Sequence, residues 1–257
     1  MPERPSGCSA QKVPDTFFSR PLAPSGRTAF LGGAKDSLNS PGQSIAQKVQ
    51  LRFSKTGELR FLSHHDMMRL FARACRRAAL PVRLTQGFDP RPRLVFATAL
   101  ELGVESLDEA LEMELSQWTS PENIRRRLGE QLPEGIRILE ARLLPPRRSG
   151  LHPAEMSYRV SPPGGASRLG LSAQRLGEFL SRPELNFERP RERRVQRLDL
   201  RPSLMDVAVD GEDVVVSLRP TPQGSARPAE VLALLTGRPL AETRRWPTVK
   251  SSMRLAP

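Results

Sequence analysis

The sequence predicts an α+β fold of the ferredoxin-like (split βαβ) kind, in which helices cover one face of an antiparallel sheet. Several short segments alternate apolar with polar residues, as half-buried strands do, and two longer segments carry helical apolar spacing behind a serine cap. Between residues 48 and 144 these segments follow the order strand, helix, two or three strands, helix, strand. Two helices on one face of an antiparallel sheet is the simplest arrangement of that order.

The chain divides into five parts on this basis. Its 257 residues are enough for one large domain or two small ones. Residues 1–46 are rich in Pro, Ser and Gly without periodicity, so we expect a disordered tail there. The expected parts after this tail are an α+β domain at 47–145, a linker at 146–153, a second α+β half at 154–250 and a short tail at 251–257.

The first strand and the first helix are separated by a short segment. Residues 48–55 are apolar at every second position, which predicts a strand, and 59–62 is expected to extend a strand. Ser63 stands three residues before Asp66 in a capping-box pattern, so a helix should begin at His64. Apolar residues fall on one side of this helix and arginines on the opposite side.

A proline-rich elbow, 86–93 (QGFDPRPR), follows the helix and a short predicted strand at 82–85. Two prolines one residue apart fix φ at both positions and hold the residues before them in extended geometry. We expect the elbow to present Asp89 and Arg91 rigidly, as a binding loop does, although stiffness for stability alone is the alternative. Its other candidate loop residues are Gly87, Phe88, Pro90 and Pro92.

The rest of the first domain is predicted to contain two more strands, a helix and a closing strand. Residues 93–100 continue as a strand after the elbow. In the acidic segment 101–114 glutamates alternate with apolar residues, which predicts a strand whose carboxylates lie on a solvated face. Ser120 caps the second helix, with proline at its first position, and 136–144 closes the domain as a strand.

A similar order of segments recurs after residue 153. The predicted segments are a strand at 156–160, a helix from Ser172 to about 181, a hairpin of 195–209 with 213–218 through Asp210-Gly211, and a helix from Pro228 to Leu235. The residues of the two halves are not similar to one another. The second half is therefore either a duplication of the first or an independent α+β unit.

The composition favours a polyanionic partner in the cytoplasm. The formal net charge is +12, and the excess of basic residues lies mainly after residue 146, although an arginine-rich composition without function is the alternative. Aromatic residues make up only 5% of the chain, too few for a surface on which several nucleic-acid bases stack on aromatic rings. Only Cys8 and Cys75 occur, so no structural disulfide is expected, and no apolar run approaches the ~20 residues of a membrane span. A signal-peptide core is also lacking, and the sequence does not indicate an oligomeric state.

Arginines are the candidate residues for binding a polyanion, because a guanidinium can clamp a phosphate through two hydrogen bonds. Four of them cluster on one side of the first helix and the fifth lies on the elbow. They are Arg69, Arg73, Arg76, Arg77 and Arg91. A merely solvated helix face is an equally good interpretation of the first four.

His64, Asp66 and Asp89 are the candidate catalytic residues if the chain is an enzyme acting on a modified nucleotide or another small anion. Imidazoles beside a helix N-terminus form an anion site. The alternative is that Asp66 only caps the helix and the histidine bonds locally. No metal is expected, because H-x3-H, CxxC and HExxH spacings are absent, and no cofactor, because neither a P-loop nor GxGxxG follows any strand.

The segment 61–106, FLSHHDMMRLFARACRRAALPVRLTQGFDPRPRLVFATALELGVES, resembles the radical SAM-linked (radical SAM-associated) protein family of bacteria. The family pattern resembles SHxDxMRxxxRxxRRAxLPxxxTxGFNPHPxxxFAxxLxxGxES. The matching residues are Ser63, His64, Asp66, Met68, Arg69, Arg73, Arg76, Arg77, Pro81, Gly87, Phe88, Pro90, Pro92, Phe96, Gly103, Glu105 and Ser106. Looser similarity at LDLRPSLMDV and RPAEVLALL extends the resemblance over most of residues 48–250.

The resemblance implies a domain of unknown function that occurs alone or at the C-terminus of cobalamin-binding radical SAM proteins. Asp89 stands where the family pattern has asparagine and Arg91 where it has histidine, which weakens a site built from two histidines. CxxxCxxC is absent, so this chain cannot itself hold the cluster that cleaves S-adenosylmethionine.

Three functions remain open on the sequence. We expect first a non-catalytic accessory protein that binds RNA or another polyanion and presents it to a radical SAM partner. The alternatives are an enzyme at His64, Asp66 and Asp89, and a protein adaptor.

Overall fold

Both halves of the sequence contribute strands to a single large sheet. A computed structural model describes residues 47–256 except 87, 146–149, 192–193 and 223. The tail at 1–46 and part of the linker therefore lie outside the described residues. The structure confirms a mixed α+β fold with a mostly antiparallel sheet and several helices.

The described residues of the first half contain four strands and two α-helices. They are β1 (Gln47–Lys55), α1 (His64–Arg77), β2 (Leu94–Phe96), β3 (Val104–Leu115), α2 (Pro121–Gly129) and β4 (Ile136–Leu144). A 3-10 helix, Gly57–Phe61, stands where a strand was predicted at 59–62. The turn places the carbonyl oxygens of Arg60 and Leu62 3.3 and 2.9 Å from the Lys55 ammonium. An extended strand would place these oxygens too far from Lys55 to bond it.

In the second half, the part of the chain that the structure describes contains six strands and three α-helices. They are β5 (Pro153–Val160), α3 (Ala173–Leu180), β6 (Asn186–Arg191), β7 (Arg194–Asp199), β8 (Leu204–Asp210), β9 (Asp213–Leu218), α4 (Pro228–Thr236), α5 (Leu240–Thr243) and β10 (Thr248–Leu255). A 3-10 helix, Ala166–Leu169, precedes α3.

The two halves have the same strand order within the common sheet. The full order is β4-β1-β3-β10-β5-β9-β8, and β2 also pairs with β3. In the first half β4-β1-β3-β2 is antiparallel throughout, which is compatible with the predicted split βαβ arrangement. In the second half β10-β5-β9-β8 repeats that order, and the β6–β7 hairpin is an insertion that forms its own two-stranded sheet.

The halves meet where β3 pairs in parallel with β10, which we call the seam. Its register joins Thr248 with Val104 and Lys250 with Ser106. The expected tail at 251–257 is therefore wrong, because 251–255 belong to β10, which lies between β3 and β5 inside the sheet. Lys250 is fully buried there, so the strand does not show the apolar alternation of a half-buried strand.

Each half has its own apolar core between its helices and its strands. In the first half Phe71 of α1 and Ile124 of α2 pack with Leu51 of β1 and Leu111 of β3. In the second half residues of α3 and α4 pack with β8 and β9. The predicted apolar side of α1 is the buried side. No helix in the described part of the chain has the length and apolar character needed to cross a membrane.

Several predicted strands are shorter in the structure than expected. The strand predicted at 93–100 is reduced to three residues, Leu94–Phe96, and 82–85 forms only two isolated bridges, from Val82 to Leu115 and from Leu84 to Pro92. The strand predicted at 195–209 is two strands, because β7 pairs with β6 while β8 pairs with β9.

Replacing Ser63 by alanine tests the start of α1 and should lower the free energy of unfolding by about 1 kcal/mol. The Ser63 hydroxyl accepts a hydrogen bond from the Asp66 N–H (3.2 Å) and donates one to the Asp66 carboxylate (2.6 Å). This side-chain bond is the main cause of a lowered Asp66 pKa, ahead of the charge of Arg69. Chemical denaturation of both proteins measures the difference.

The pH dependence of that difference follows from the lowered pKa of Asp66. A carboxyl whose pKa is lowered on folding stabilises the protein above its ordinary value, here 3.8, and loses that contribution as the pH falls through the lowered value. The deficit of Ser63→Ala should therefore shrink below pH 3.8. Ser63→Thr keeps the acceptor oxygen and should restore most of the stability; equal losses in both variants would contradict a cap.

Candidate functional site

Four exposed arginines of α1 and one half-buried arginine of α2 form a basic surface, which we call the arginine face. Its members are Arg69, Arg73, Arg76, Arg77 and Arg127. The spacing of the first four places them on the side of α1 opposite its buried residues, which are Met67, Phe71, Ala74 and Cys75. Arg127 reaches this surface from α2, because its guanidinium donates hydrogen bonds to the carbonyl oxygens of Ala78 and Ala79 behind α1.

The hydrogen bonds of the arginine face leave most of its charge uncompensated. Arg73 donates to the carbonyl oxygen of Arg69 (3.3 Å), and Arg77 donates to the carbonyl oxygen of Gln131 (2.7 Å). Among the residues that the structure describes, only Asp66 pairs with this surface, 3.6 Å from Arg69, and Arg76 has no ion pair. A carbonyl oxygen carries no net charge, so these guanidiniums remain fully available to an anion.

Several charges on the opposite, helix-free face of the first half are paired with one another, whereas Arg142 of β4 donates to the side-chain oxygen of Gln50. β1 alternates buried apolar residues with Lys48 and Arg52, which point away from the helices. Arg52 lies 2.7 Å from Asp108 and Lys48 lies 3.3 Å from Glu112. The solvated carboxylate face predicted for 101–114 is therefore wrong in part, since Glu112 is only 4% exposed beneath these cations.

The elbow lies at the far end of β3 from the seam. Leu94 pairs with Met113 and Val82 with Leu115, whereas the seam involves the first residues of β3. The Arg91 guanidinium donates two hydrogen bonds to the Asp89 carboxylate, at 2.7 and 3.0 Å. The charge of Arg91 is therefore compensated by Asp89 on the same loop, and Arg91 is not part of the arginine face. Phe88 is fully exposed, and Gly87 lies outside the described residues.

The three candidate catalytic residues are not brought together. His64 packs edge-on against Phe96, with ring centroids 5.5 Å apart, and Asp66 is engaged by Ser63. Among the described side chains, no hydrogen bond or ion pair joins His64 or Asp66 to Asp89. Asp66 thus behaves as the capping alternative predicts, and the enzyme alternative loses its expected geometry.

A buried charge cluster that sequence reasoning missed lies near His64. Lys250 is fully buried, contacts the Glu109 carboxylate and donates to the Thr98 hydroxyl (3.2 Å), which donates in turn to Glu109 (3.3 Å). Lys55 is almost completely buried beside this pair, and burial lowers its pKa although the Glu109 charge opposes that shift. Lys55, His64, Thr98 and Glu109 also line a cavity of about 20 Å³, the size of one water molecule.

A larger cleft of about 780 Å³ adjoins this cluster through Thr98 and Leu100, which line both spaces. Arg189 and Arg227 lie in its wall, and each is held by a carboxylate: Glu230 at 2.6 Å and Glu101 at 3.0 Å respectively. Tyr158 also lines the cleft, and burial is the main cause of its raised pKa.

The described residues contain no group of three His, Cys, Asp or Glu side chains placed to hold a metal ion. Cys75 lies in the apolar core of the first half, and burial raises the pKa of its thiol to about 12. A thiol with such a pKa is protonated at neutral pH and is a poor nucleophile or metal ligand.

Comparison with known proteins gives a family and little beyond it. Residues 48–228 match the profile of a family described as "Uncharacterized protein conserved in bacteria (DUF2344)". No curated protein matches the chain. A solved chain from "Crystal Structure of a Cbf5-Nop10-Gar1 Complex" is similar at 12% identity and a TM-score of 0.35. That similarity covers 83% of this chain and 49% of the other, so this chain spans about half of that chain's length.

Proposed function

The chain belongs to this family of uncharacterized proteins conserved in bacteria, and we propose that it is a non-catalytic accessory protein that binds RNA through the arginine face. The single observation that carries the proposal is the kind of partner these arginines have. Arg73, Arg77 and Arg127 end on carbonyl oxygens, and Arg76 has no ion pair in the described part of the chain. Arg69 pairs with Asp66 at 3.6 Å. Lys48 and Arg52 of the helix-free face, in contrast, are both ion-paired with carboxylates. A phosphate backbone would supply the missing anions.

The geometry of the arginine face suits a phosphate chain better than a single small anion. Four of its five guanidiniums follow α1 over residues 69 to 77, which at about 1.5 Å per residue is roughly 12 Å, longer than a single phosphate group. Arg73 and Arg77 also line a shallow groove of about 400 Å³ that ends at Pro133. Because the contacts are to phosphates, we expect binding that depends on salt and carries little sequence preference.

The two alternative functions have less support. An enzyme at His64, Asp66 and Asp89 lacks convergent geometry, because Ser63 engages Asp66, Arg91 engages Asp89 and His64 packs against Phe96. A protein adaptor would need an acidic partner to match the basic arginine face. Displacement of bound RNA by polyglutamate would reveal that this face also binds acidic polypeptides.

A radical SAM partner and a cytoplasmic location also belong to the proposal. The sequence resemblance to the radical SAM-linked family supports the partner, and the chain's two cysteines are too few for a cluster held by three. In this proposal the chain presents bound RNA to a separate radical SAM protein. Co-purification from a cytosolic extract, with and without ribonuclease, tests this partner. A radical SAM protein that stays bound after ribonuclease treatment contacts the chain directly, and one that is lost is held through RNA.

The double variant Arg73→Gln with Arg76→Gln tests the arginine face. We expect a loss of about tenfold or more in affinity for a tRNA-sized RNA, because each lost phosphate contact removes a counterion-release contribution. The stability should change little, since both side chains are exposed and neither has a carboxylate partner. Fluorescence anisotropy at low salt measures the affinity, and thermal denaturation confirms the fold.

A matched control removes two arginines whose charge is already compensated. Arg238→Gln with Arg254→Gln changes the net charge equally but affects side chains paired with Glu242 and Glu155 in the second half. This control should retain at least half of the wild-type affinity. An equal loss in the two double variants would mean that net charge alone drives binding, and the arginine face would have no special role.

A further inference from the structure

A second cavity adjoins the large cleft along the seam. It has a volume of about 560 Å³ and shares Leu102 and Arg244 with the 780 Å³ cleft. The two spaces therefore form one continuous depression between the halves, which we call the seam groove. It lies apart from the arginine face, since no residue of that face lines either cavity.

The seam groove is lined by five arginines in two different states. Arg60, Arg189 and Arg227 are held by carboxylates; the Arg60 guanidinium, for example, lies 3.1 Å from Glu105. Arg244 and Arg245 are exposed, and in the described part of the chain their side chains form no hydrogen bond or ion pair. The groove thus combines fixed guanidiniums with two whose charge is uncompensated, which favours a ligand with more than one negative charge.

The same groove exposes an aromatic ring and an aliphatic side chain. Phe61 is 57% exposed and Leu102 is 60% exposed, and both line the smaller cavity. The Arg60 guanidinium lies 4.7 Å from the centre of the Phe61 ring and is fixed there by Glu105. A flat apolar surface backed by a guanidinium is the kind of site on which nucleic-acid bases stack.

We propose that the seam groove binds a single-stranded segment of nucleic acid, with one base stacked at Phe61 and Leu102 and the neighbouring phosphates at Arg244 and Arg245. This inference rests on the proposed function in one respect, which is that RNA is the ligand. The surface it concerns is a different one from the arginine face. A single exposed ring can stack with a single base, so this site needs only one aromatic residue and is compatible with the low aromatic content of the chain. The arginine face would then hold the backbone of a longer RNA whose unpaired segment enters the groove.

The size of the groove favours a strand over a lone nucleotide. Each of the two cavities alone lies in the range of about 300–1,000 Å³ that holds a small ligand, and the two share Leu102 and Arg244 as lining residues. An acidic peptide would also meet the arginines, but it would not use the exposed ring. Dependence on Phe61 therefore separates a nucleic acid from an acidic polypeptide.

Binding of a labelled six-nucleotide single-stranded RNA, followed by fluorescence anisotropy at low salt, tests the proposal. We expect Phe61→Ala to weaken binding about tenfold, as loss of one stacked base does, and Arg244→Gln with Arg245→Gln to weaken it by a similar factor. Trp118→Ala is the control, because Trp118 is an exposed aromatic residue (69%) that lines neither cavity, and it should leave affinity unchanged. Leu102→Asp, which places a carboxylate in the groove, is a second variant that should also abolish most binding.

The outcomes distinguish this site from the arginine face. Hexamer binding that falls with Arg73→Gln and Arg76→Gln but not with Phe61→Ala or Leu102→Asp would overturn the seam groove and leave the proposed function standing. The reverse pattern is the one that the seam groove predicts for a hexamer, and it leaves the arginine face to the test with a tRNA-sized RNA. Polyglutamate that displaces the hexamer at an equal concentration of charge, with no effect of Phe61→Ala, would also overturn a base-binding groove.

Discussion

Replacing Glu230 by alanine is expected to lower the free energy of unfolding by about 3–5 kcal/mol, because it leaves a buried guanidinium without its counter-ion. The Glu230 carboxylate is completely buried on α4 and accepts two hydrogen bonds from Arg189, at 2.6 and 2.7 Å. It also accepts one from the Arg227 N–H at the start of α4 (3.1 Å). After the change Arg189 would keep only the carbonyl oxygen of Ser225 (2.9 Å).

The exposed pair of Arg238 with Glu242 provides the control for this prediction. Both side chains are about 40% exposed, and an ion pair of that kind contributes about 0–1 kcal/mol. Glu242→Ala should therefore cost far less than Glu230→Ala in chemical denaturation. Replacing both members of the buried pair, Arg189→Met with Glu230→Leu, should recover much of the loss. Equal effects of Glu230→Ala and Glu242→Ala would contradict a buried pair that ties the β6–β7 hairpin to α4.

Replacing Lys250 by methionine is expected to have a destabilising effect of the same size, about 3–5 kcal/mol. Lys250 lies at the seam, where it is fully buried and contacts Glu109, which is itself buried. Methionine fills a similar volume, so the main cost is the uncompensated Glu109 carboxylate. Lys55 contributes a second positive charge nearby, but its ammonium is bonded to the carbonyl oxygen of Leu62.

Arg254 on the same strand is the matched control for Lys250. Its ion pair with Glu155 lies at the surface, so Arg254→Met should cost no more than about 1 kcal/mol. Adding Glu109→Leu to Lys250→Met should recover part of the stability, because it removes the orphaned carboxylate. Thermal and chemical denaturation of the three variants and the wild-type protein measure these differences. A Lys250→Met protein as stable as Arg254→Met would show that the seam does not depend on this ion pair.

The helices of the fold could be predicted because their signals are local. Ser63, Ser120 and Ser172 each accept a hydrogen bond from the N–H three residues ahead, as the sequence spacing indicates. β1, β4 and the β8–β9 hairpin were likewise visible from alternation and from Asp210-Gly211. These elements need only neighbouring residues, so one sequence was sufficient to find them.

Two strands could not be predicted, because charges occupy their buried positions. β6 contains Arg189 and β10 contains Lys250, and a buried cation has the same appearance in a sequence as a solvated one. Their partners, Glu230 and Glu109, are distant in the chain and become neighbours only in the folded sheet. The hydrophobic period that marks a half-buried strand is lost at both places.

The candidate site was predictable to the same extent. The arginine face follows from helical spacing, although its carbonyl partners do not, because they depend on how α1 and α2 pack. The seam groove was not predictable, since the pairing of β3 with β10 brings its residues together from residues 60–61, 102–105 and 244–249. The elbow was expected to contribute Asp89 to a site with His64, yet Asp89 pairs with Arg91 of the elbow and His64 packs against Phe96.

The salt dependence of RNA binding tests the central claim most directly. Affinity for a tRNA-sized RNA, measured from low to physiological salt, should fall linearly on a double logarithmic plot, with a slope of about −0.7 to −0.9 for each phosphate contact. The slope should be smaller in magnitude by roughly 1.4 to 1.8 in the Arg73→Gln, Arg76→Gln variant and unchanged in the Arg238→Gln, Arg254→Gln control. RNA binding that does not respond to salt, or no binding at the lowest salt, would contradict a phosphate-binding arginine face.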